Sequence, residues 1–249
     1  MKRTSETKST SAASRSRPVD SVRNGKTKAT IQERVYQELR RALMTGAFVT
    51  GSKVTIRGVS EQIGTSMMPV REAIGRLIAE RALELVGNRQ VIVPVMTAEK
   101  FAELTHWRVQ LESAASRAAC RHVTPEFIAS LEAANDKIVE AAESNRRDAL
   151  LALNYDFHFL IYRQAGSSVL LPMIESLWLQ AGPFTYFSAP APKVLWDARH
   201  HREIIRALRR KDETAAAEAI AQDINNTAEF LRSSGHFARP VRHISEIAA

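Results

Sequence analysis

The stretch 55–78, TIRGVSEQIGTSMMPVREAIGRLI, is the part of the sequence that most constrains the fold. Val59 and Ile63 are one helical turn apart, and the Gly64 that follows them can adopt the positive φ that ends a helix. Ser66 can then act as the N-cap of a second helix. The spacing therefore predicts two short helices that are joined by a tight glycine turn.

The second of these helices has two different faces. Its predicted buried stripe consists of Val70, Ile74, Leu77 and Ile78. Its free side carries Met67, Met68, Arg71 and Gly75. Because two helices joined in this way form a helix-turn-helix, the second one can enter the major groove of DNA with Arg71 near its N-terminus. An ordinary helical hairpin would have the same pattern, so this stretch alone leaves both interpretations open.

Two short runs that favour β-strands follow directly. They are residues 84–86 and 90–95, and Gly87-Asn88 between them is a typical hairpin turn. A helix-turn-helix followed at once by a hairpin is a winged helix, in which Arg89 would lie at the tip of the wing. The hairpin therefore favours DNA binding over an ordinary helical hairpin.

The formal net charge of +8 is concentrated near the N-terminus. Residues 1–28 carry eight Lys and Arg against two acidic residues, and residues 29–96 carry nine against six. Residues 97–249 carry 18 against 19 and are almost neutral. A basic N-terminal part followed by a neutral C-terminal part favours a two-domain DNA-binding regulator over a uniformly basic coat protein.

The pattern of apolar residues divides the chain into four parts. Residues 1–28 have almost no apolar content, so we expect a disordered basic arm, which is either a nonspecific DNA contact or a solvated tail. Residues 29–96 form the predicted winged helix, with a loop over 47–53. Its first helix is predicted from a four-residue spacing, at Ile31, Val35, Leu39 and Leu43. At the other end of the chain, residues 233–249 are expected to be a loose tail.

Residues 97–232 show helical periodicity without a convincing strand alternation, which predicts an all-helical bundle. The predicted helices span residues 98–121, 125–144, 147–165, 168–182, 194–210 and 213–231. Gly182-Pro183 is expected to end the fourth of them. The expected fold class is therefore mostly α, with an N-terminal winged helix-turn-helix, a small β wing and a C-terminal helical bundle.

Composition excludes other classes of protein. The single cysteine, Cys120, rules out a disulfide framework and a Cys-rich zinc site. No apolar run reaches the roughly 18 residues of a membrane span, and the N-terminus lacks an apolar signal core. We therefore expect a soluble cytoplasmic protein that has no membrane partner.

Polar side chains recur on the predicted inward faces of three bundle helices. They are Asn154, His158, His201 and Asp223. Two imidazoles, an amide oxygen and a carboxylate could hold a divalent metal such as zinc, nickel or manganese. A hydrogen-bonded polar core without metal is the alternative, since a buried carboxylate needs a partner in either case. His200 lies beside His201, and a small helix rotation would exchange the two.

Arg108 lies in the apolar stripe of the first bundle helix, with Glu112 one turn later. A guanidinium that points inward near a metal would clamp the carboxylate of a small ligand bidentately, which makes the two residues part of an effector site. An Arg108–Glu112 ion pair that only fixes helix packing is the other interpretation. The two are compatible, because a ligand can compete for the arginine.

The N-terminal motifs resemble the DNA-binding domain of GntR-superfamily transcription regulators. They are VYQELRRALMTGAF, GSKVTIRGVSEQIGTS and MPVREAIGRL. The later motifs WRVQLESAA, NYDFHFLIY, HHREIIRAL and RKDETAAAEAI resemble the FadR-type, or FCD, effector-binding domain. The resemblance covers residues 31–231. It implies a homodimer that binds an operator palindrome in double-stranded DNA and responds to a small carboxylate metabolite.

Carried over by position, the resemblance implies DNA contacts at Arg57, Ser66, Met67, Met68, Arg71 and Arg89. The arginines suit this role, because a guanidinium can bond guanine bidentately or hold a phosphate. Met67 stands where members of the family often have arginine or another polar residue, so apolar contact with thymine methyl groups would replace a hydrogen bond. FCD domains often hold a metal with Asp or Asn and three histidines, and Asp223 stands at the third histidine position here.

These features together predict a metabolite-responsive transcription regulator, which we expect to be a repressor and not an enzyme. A metal-dependent hydrolase that uses His158, His201 and Asp223 is the alternative. It lacks an obvious general base near those ligands, such as a HEXXH helix, and leaves the winged helix unexplained. An architectural DNA coat protein is a third interpretation and would bind without sequence preference.

Overall fold

The computed structural model describes residues 30–87, 89–190, 196 and 198–238. Within them the α-helices are α1 (Ile31–Met44), α2 (Ile56–Ile63), α3 (Met67–Ala79), α4 (Ala98–Ala119), α5 (Pro125–Glu143), α6 (Arg147–Gln164), α7 (Leu170–Thr185), α8 (Arg199–Arg209) and α9 (Glu213–Ser233). The strands are β1 (Lys53–Val54), β2 (Glu84–Val86) and β3 (Gln90–Ile92). The fold is mostly helical with a small sheet, as the sequence predicts. The predicted arm over residues 1–28 lies outside the described residues.

The three strands form an antiparallel sheet in the order β1-β3-β2. β2 and β3 are the predicted hairpin, and β1 adds a third strand where the sequence predicts a loop. A strand of two residues is too short to show alternation, so its pairing depends on a partner that is distant in sequence. β3 ends at Ile92, earlier than predicted, because Pro94 follows and cannot donate to a ladder.

Local signals predicted the helix-turn-helix correctly. Thr55 caps α2 by accepting a hydrogen bond from the backbone N–H of Gly58 at 3.1 Å. Gly64 ends α2 with a φ of 73°, the left-handed conformation that glycine adopts without strain. Ser66 occupies the N-cap position of α3, but within the described part of the chain its side chain makes no capping hydrogen bond. Helix α3 buries Val70, as expected.

Helix α1 joins the two halves of the molecule. It packs against both α3 and α7. Its predicted stripe is buried at Val35, Leu39 and Leu43, whereas Ile31 is exposed at the first position of the helix. Buried hydrophobic residues of the winged helix and of the bundle therefore form one continuous cluster.

The bundle is built around α4, which packs against α6, α7 and α9, while α8 packs against α5 and α9. Helix α7 continues to Thr185, although the sequence predicts an end at Gly182-Pro183. Pro183 cannot bond the carbonyl of Leu179. The burial of Phe184 and a hydrogen bond from Thr185 Oγ1 to the Gly182 carbonyl at 2.6 Å hold the last turn in place.

The chain that follows α9 packs back on the bundle. Phe237 stacks on Phe184 with ring centroids 4.7 Å apart, and the N–H of Ala238 donates to the Met96 carbonyl at 2.8 Å. The sequence predicts a loose tail from residue 233, because helical periodicity stops there. In the structure, ring contacts of His236 and Phe237 and the Ala238 hydrogen bond hold residues 236–238 on the bundle. Residues 239–249 lie outside the described residues. Among those described, every helix is too short or too polar to cross a membrane.

Candidate functional site

The side chains predicted to contact DNA are all exposed on the winged helix. We call them the recognition surface: Arg57, Ser66, Met67, Met68, Arg71 and Arg89. Met67 and Met68 are 57% and 62% exposed in the first turn of α3, which is unusual for large apolar side chains. Arg57 and Met67 border one groove between α2 and α3. Arg89 lies in the turn of the wing, in the left-handed conformation with a φ of 73°.

A chamber lies inside the bundle, where the sequence predicts a cluster of polar side chains. His158, His201 and Asp223 each direct one potential ligand atom into it, and these atoms lie within 4.8 Å of one another. Asn154, one turn before His158 on α6, borders the same chamber, as does Arg108 of α4. Four helices, α4, α6, α8 and α9, therefore bring together side chains that are far apart in the sequence.

His158 is held by a chain of hydrogen bonds. Tyr162, one turn further along α6, donates its hydroxyl hydrogen to the Glu112 carboxylate, and its oxygen lies 3.2 Å from His158 Nδ1. Because that hydroxyl has only one hydrogen, Nδ1–H donates to it, and in this tautomer of the imidazole the lone pair is on Nε2. Nε2 faces Asp223 Oδ2 at 3.2 Å. Two lone pairs at this distance repel each other unless a cation or a proton lies between them, so the donor set fits a metal.

His201 and Asp223 complete the cluster, with His201 Nε2 3.7 Å from Asp223 Oδ1. Burial lowers the pKa of His201 to about 4, so its ring is neutral near neutral pH. Burial by itself would raise the pKa of Asp223, but its contact with His158 and the field of His201 lower it to about 2. A neutral imidazole and an ionised carboxylate are the forms that bind a divalent metal.

His201, rather than its neighbour His200, is the histidine of the cluster. Its side chain is 5% exposed, and its ring stacks on Phe157 with centroids 4.2 Å apart. His200 also borders the chamber, but its Nδ1 lies 3.6 Å from Glu203 Oε2. The sequence leaves the two open because they are adjacent on one helix, and the packing of α8 decides between them.

Arg108 and Glu112 form a buried ion pair behind the chamber. Arg108 Nε donates to Glu112 Oε1 at 2.7 Å, and Nη2 lies 3.4 Å from Oε2. Burial opposes the charged form, but the charge of Glu112 raises the pKa of Arg108, which keeps the guanidinium ionised. Arg108 borders the chamber and also lies over the ring of Trp178, 4.5 Å from its centroid. Glu112 is completely buried and lies behind Arg108 rather than in the chamber wall.

Three further residues of the site are missed by reasoning from the sequence. Tyr162 links His158 to Glu112, and its position four residues after His158 was a signal that could have found it. Trp178 borders the chamber, and its buried Nε1–H has no partner among the described residues. Met44, the last residue of α1, also borders the chamber. The last two come from helices whose packing no local pattern reveals.

Two family models match the chain, one in the winged helix and one in the helical bundle. The family described as "Bacterial regulatory proteins, gntR family" matches residues 31–93. The family described as "FCD domain" matches residues 103–226. The first range contains the helix-turn-helix and the wing, and the second contains the cluster of His158, His201 and Asp223.

Named relatives cover most of the chain. The HTH-type transcriptional regulator McbR of Escherichia coli (strain K12) is 29% identical over 201 residues, which are 79% of this chain and 90% of McbR. The Nta operon transcriptional regulator of Aminobacter aminovorans is 28% identical over 191 residues, which are 75% of this chain and 90% of that regulator. The solved structure of E. coli McbR/YncC superposes with a TM-score of 0.78 at 26% identity, over 83% of this chain and 99% of that one.

These relatives are transcription regulators and not metallohydrolases, so the predicted absence of enzymatic activity agrees with them. The similarity includes both domains, and their order along the chain is the same as in the matched families. Because this pair of domains makes up most of its length, the chain belongs to the GntR family of transcription regulators and carries an FCD effector-binding domain.

Proposed function

We propose that this protein binds an operator palindrome as a homodimer and changes its affinity for that operator when a divalent metal and a small organic acid occupy the chamber. The observation that carries the proposal is the cluster of His158, His201 and Asp223, whose potential ligand atoms lie within 4.8 Å of one another. This cluster occurs in the same chain as an exposed recognition surface. Repression is the expected outcome, as in the E. coli relative named HTH-type transcriptional repressor RspR. DNA binding would place the protein in the cytoplasm with the chromosome.

In the proposed complex, α3 enters the major groove with Met67 and Met68 at its leading end. Arg71 would bond a guanine bidentately, while the two methionines contact thymine methyl groups. Their exposure supports this role, because an apolar side chain that contacts a base has to be free of the protein core. Arg57 and Arg89 would hold phosphates from α2 and from the wing, which positions the helix without reading sequence.

In the proposed metal site, His158, His201 and Asp223 are ligands and Asn154 is a fourth. Zinc, nickel and manganese all suit these donors. Such a metal attracts and orients an anionic ligand. The hydrogen bonds through Tyr162 keep His158 Nε2 directed at Asp223, and outer partners of this kind tune the affinity of histidine ligands.

A small carboxylate suits the other groups around the chamber. Arg108 directs two of its N–H groups at Glu112, so the rest of the guanidinium remains available to a ligand. Trp178 adds an indole N–H that has no partner within the described ranges. The cavity of about 50 Å³ has room for roughly three or four water-sized groups. A short acid therefore fits better than a long one.

Selection of random duplexes by the full-length protein tests operator binding and dimer symmetry together. We expect an inverted repeat whose half-sites are separated by roughly one helical turn, about 10 base pairs, or a multiple of it. The selected duplex should bind roughly 10³-fold or more tightly than unrelated DNA. A protein that selects no sequence at physiological ionic strength would contradict operator binding and favour a coat protein.

Elemental analysis after dialysis against Zn²⁺, Ni²⁺ or Mn²⁺ tests the metal site. The wild-type protein should retain about one metal ion per chain, and His158→Ala should retain none. Tyr162→Phe keeps every ligand but loses the hydroxyl behind His158, so the metal affinity should fall about 10–100-fold. Tyr155→Phe, on the same helix but outside this chain of hydrogen bonds, is the matched control. A wild-type protein without metal would favour the hydrogen-bonded polar core.

A further inference from the structure

The chamber is not built by the FCD domain alone, because Met44 of the winged-helix domain closes one side of it. Met44 is the last residue of α1 and is 3% exposed. It borders the same cavity as His158, His201 and Asp223. Its thioether side chain is unbranched and can change rotamer at little cost, so it suits a wall that adapts to an occupant.

The end of α1 reaches the chamber because α7 has a glycine at the point of contact. A Cβ atom at Gly182 would lie 2.5 Å from the Leu43 carbonyl oxygen and 2.7 Å from Met44 Cα. Real Cβ atoms do not approach other atoms so closely, so only glycine permits this distance between the two backbones. The position of Met44 relative to α7 is therefore tightly determined.

Two further contacts attach α1 to α6, the helix that carries two of the predicted metal ligands, Asn154 and His158. Arg41 forms two hydrogen bonds of 2.8 Å with the carboxylate of Asp156. Its guanidinium also lies over the ring of Tyr155, 5.1 Å from the centroid. Asp156 lies between Asn154 and His158 on α6, so a shift of α6 around an occupant would act directly on α1.

Nearer its N-terminus, α1 contacts the end of recognition helix α3. Tyr36 donates a hydrogen bond to Glu80, and Arg40 Nε lies 3.5 Å from the same carboxylate. Arg76 of α3 lies over the Tyr36 ring, 3.4 Å from its centroid. Helix α1, which has 14 residues, therefore contacts both the chamber and recognition helix α3.

We propose that Met44 is an effector-contacting residue supplied by the DNA-binding domain, which limits the length of the carboxylate that the chamber accepts and transmits its presence through α1 to α3. This inference rests on the proposed function, since it assumes that a carboxylate occupies the chamber. It assigns a ligand contact to a residue outside the FCD domain.

The test uses full-length protein loaded with Zn²⁺ and a series of straight-chain monocarboxylates from acetate to octanoate. Calorimetry measures binding of each acid, and fluorescence anisotropy measures affinity for the duplex that the wild-type protein selects, with and without the acid. Met44→Ala removes three heavy atoms from the wall, so the best-bound acid should become longer by about two or three carbons. The change in DNA affinity on acid binding should fall at least about fivefold, which is the size of a typical coupling between sites.

Two variants make the result specific. Met44→Leu keeps a similar volume and should retain both the chain-length preference and the response to acid. Ile138→Ala enlarges the chamber from α5, without touching α1, and should lengthen the preferred acid while it keeps the response. Circular dichroism checks that each variant is folded, and if Met44→Ala is not, the comparison is made with Met44→Val.

The outcomes separate this inference from the proposed function. A Met44→Ala protein with the wild-type acid preference and the wild-type response would overturn the role of Met44 and leave the proposed function intact. A longer preferred acid with an unchanged response would overturn transmission through α1. A wild-type protein that binds neither Zn²⁺ nor any of the acids would overturn both.

Discussion

Two Arg–Glu ion pairs with the same spacing in sequence lie in opposite environments. Arg57 and Glu61 pair at 2.8 Å on the winged helix, where their side chains are 85% and 65% exposed. Arg108 and Glu112 pair at 2.7 Å in the bundle, where their side chains are 13% and 0% exposed. Water screens the first pair, so a phosphate can replace Glu61 at little cost. The second pair is part of a buried network, so burial rather than spacing decides whether an arginine is exchangeable.

The largest expected effect tests this comparison directly. Glu112→Ala leaves Arg108 buried without its partner and should lower the free energy of unfolding by about 3–5 kcal/mol. Glu61→Ala, the matched change in the exposed pair, should cost less than about 0.5 kcal/mol. Urea denaturation at neutral pH measures both. Similar small losses in the two variants would show that the buried pair is not important for stability.

The next effect concerns Arg71, an exposed arginine of α3 that is predicted to contact DNA. Arg71→Ala should weaken binding to the selected operator by about 1–3 kcal/mol and relax base preference, because a bidentate contact to a base is lost. Arg117→Ala removes an exposed arginine of α4, distant in sequence from the recognition surface, and is the control. Anisotropy titrations on the operator and on scrambled DNA measure the difference. If operator affinity stays unchanged in Arg71→Ala, Arg71 does not belong to the recognition surface.

A glycine-to-alanine substitution should lower the free energy of unfolding where α7 meets α1 and raise it on the exposed face of α3. Gly182→Ala inserts a methyl group between α7 and the backbone of α1 and should cost about 1–3 kcal/mol of unfolding free energy. Gly75→Ala, on the exposed face of α3, places its new Cβ more than 4 Å from every atom of the described residues outside the backbone of its own helix, and should stabilise by about 0.5–1 kcal/mol. Thermal and urea unfolding measure both changes. A stabilised Gly182→Ala protein would refute the close approach of the two helices.

The smallest effect concerns the basic N-terminal arm. Removal of residues 1–28, which carry eight Lys and Arg, should reduce the salt dependence of DNA binding, since each lost phosphate contact lowers the slope of log K against log salt by about 0.9. The preferred sequence should stay the same, because phosphate contacts carry no sequence information. Titrations at several salt concentrations measure the slope. A changed sequence preference would indicate that the arm contacts bases.

The helix-turn-helix and the predicted inward residues of the bundle could be read from the sequence because their signals are local. Thr55 and Gly64 act on their own neighbours, and the four-residue spacing of Asn154 and His158 puts both on one face of α6. Contacts between residues that are distant in sequence produce no such local pattern. β1 needs β3 as a partner, and Phe237 docks on a surface made by α4 and α7. Pro183 was expected to end α7 because the tertiary contacts that hold the last turn of this helix are likewise not visible in the local sequence.

In the candidate site, too, some residues could be identified from local sequence patterns and others only from the tertiary structure. Its polar members were identified because a histidine or a carboxylate in an apolar stripe is conspicuous. Trp178 and Met44 were not, because large apolar residues fit any core equally well. Glu112 was assigned to the effector site because it lies one turn from Arg108, and tertiary packing directs its carboxylate to Tyr162 as well as to Arg108.

The sequence by itself indicated the family of this protein, the position of its helix-turn-helix and several of the polar side chains that border the chamber. These depend on spacing along single helices and on turn residues, which act over a few positions. Only the tertiary structure decided that His201 rather than His200 meets Asp223, that Tyr162 connects His158 to Glu112, and that Met44 of the DNA-binding domain closes the chamber. Contacts between distant segments depend on how whole helices pack, and many residues of similar size and polarity satisfy that packing equally well.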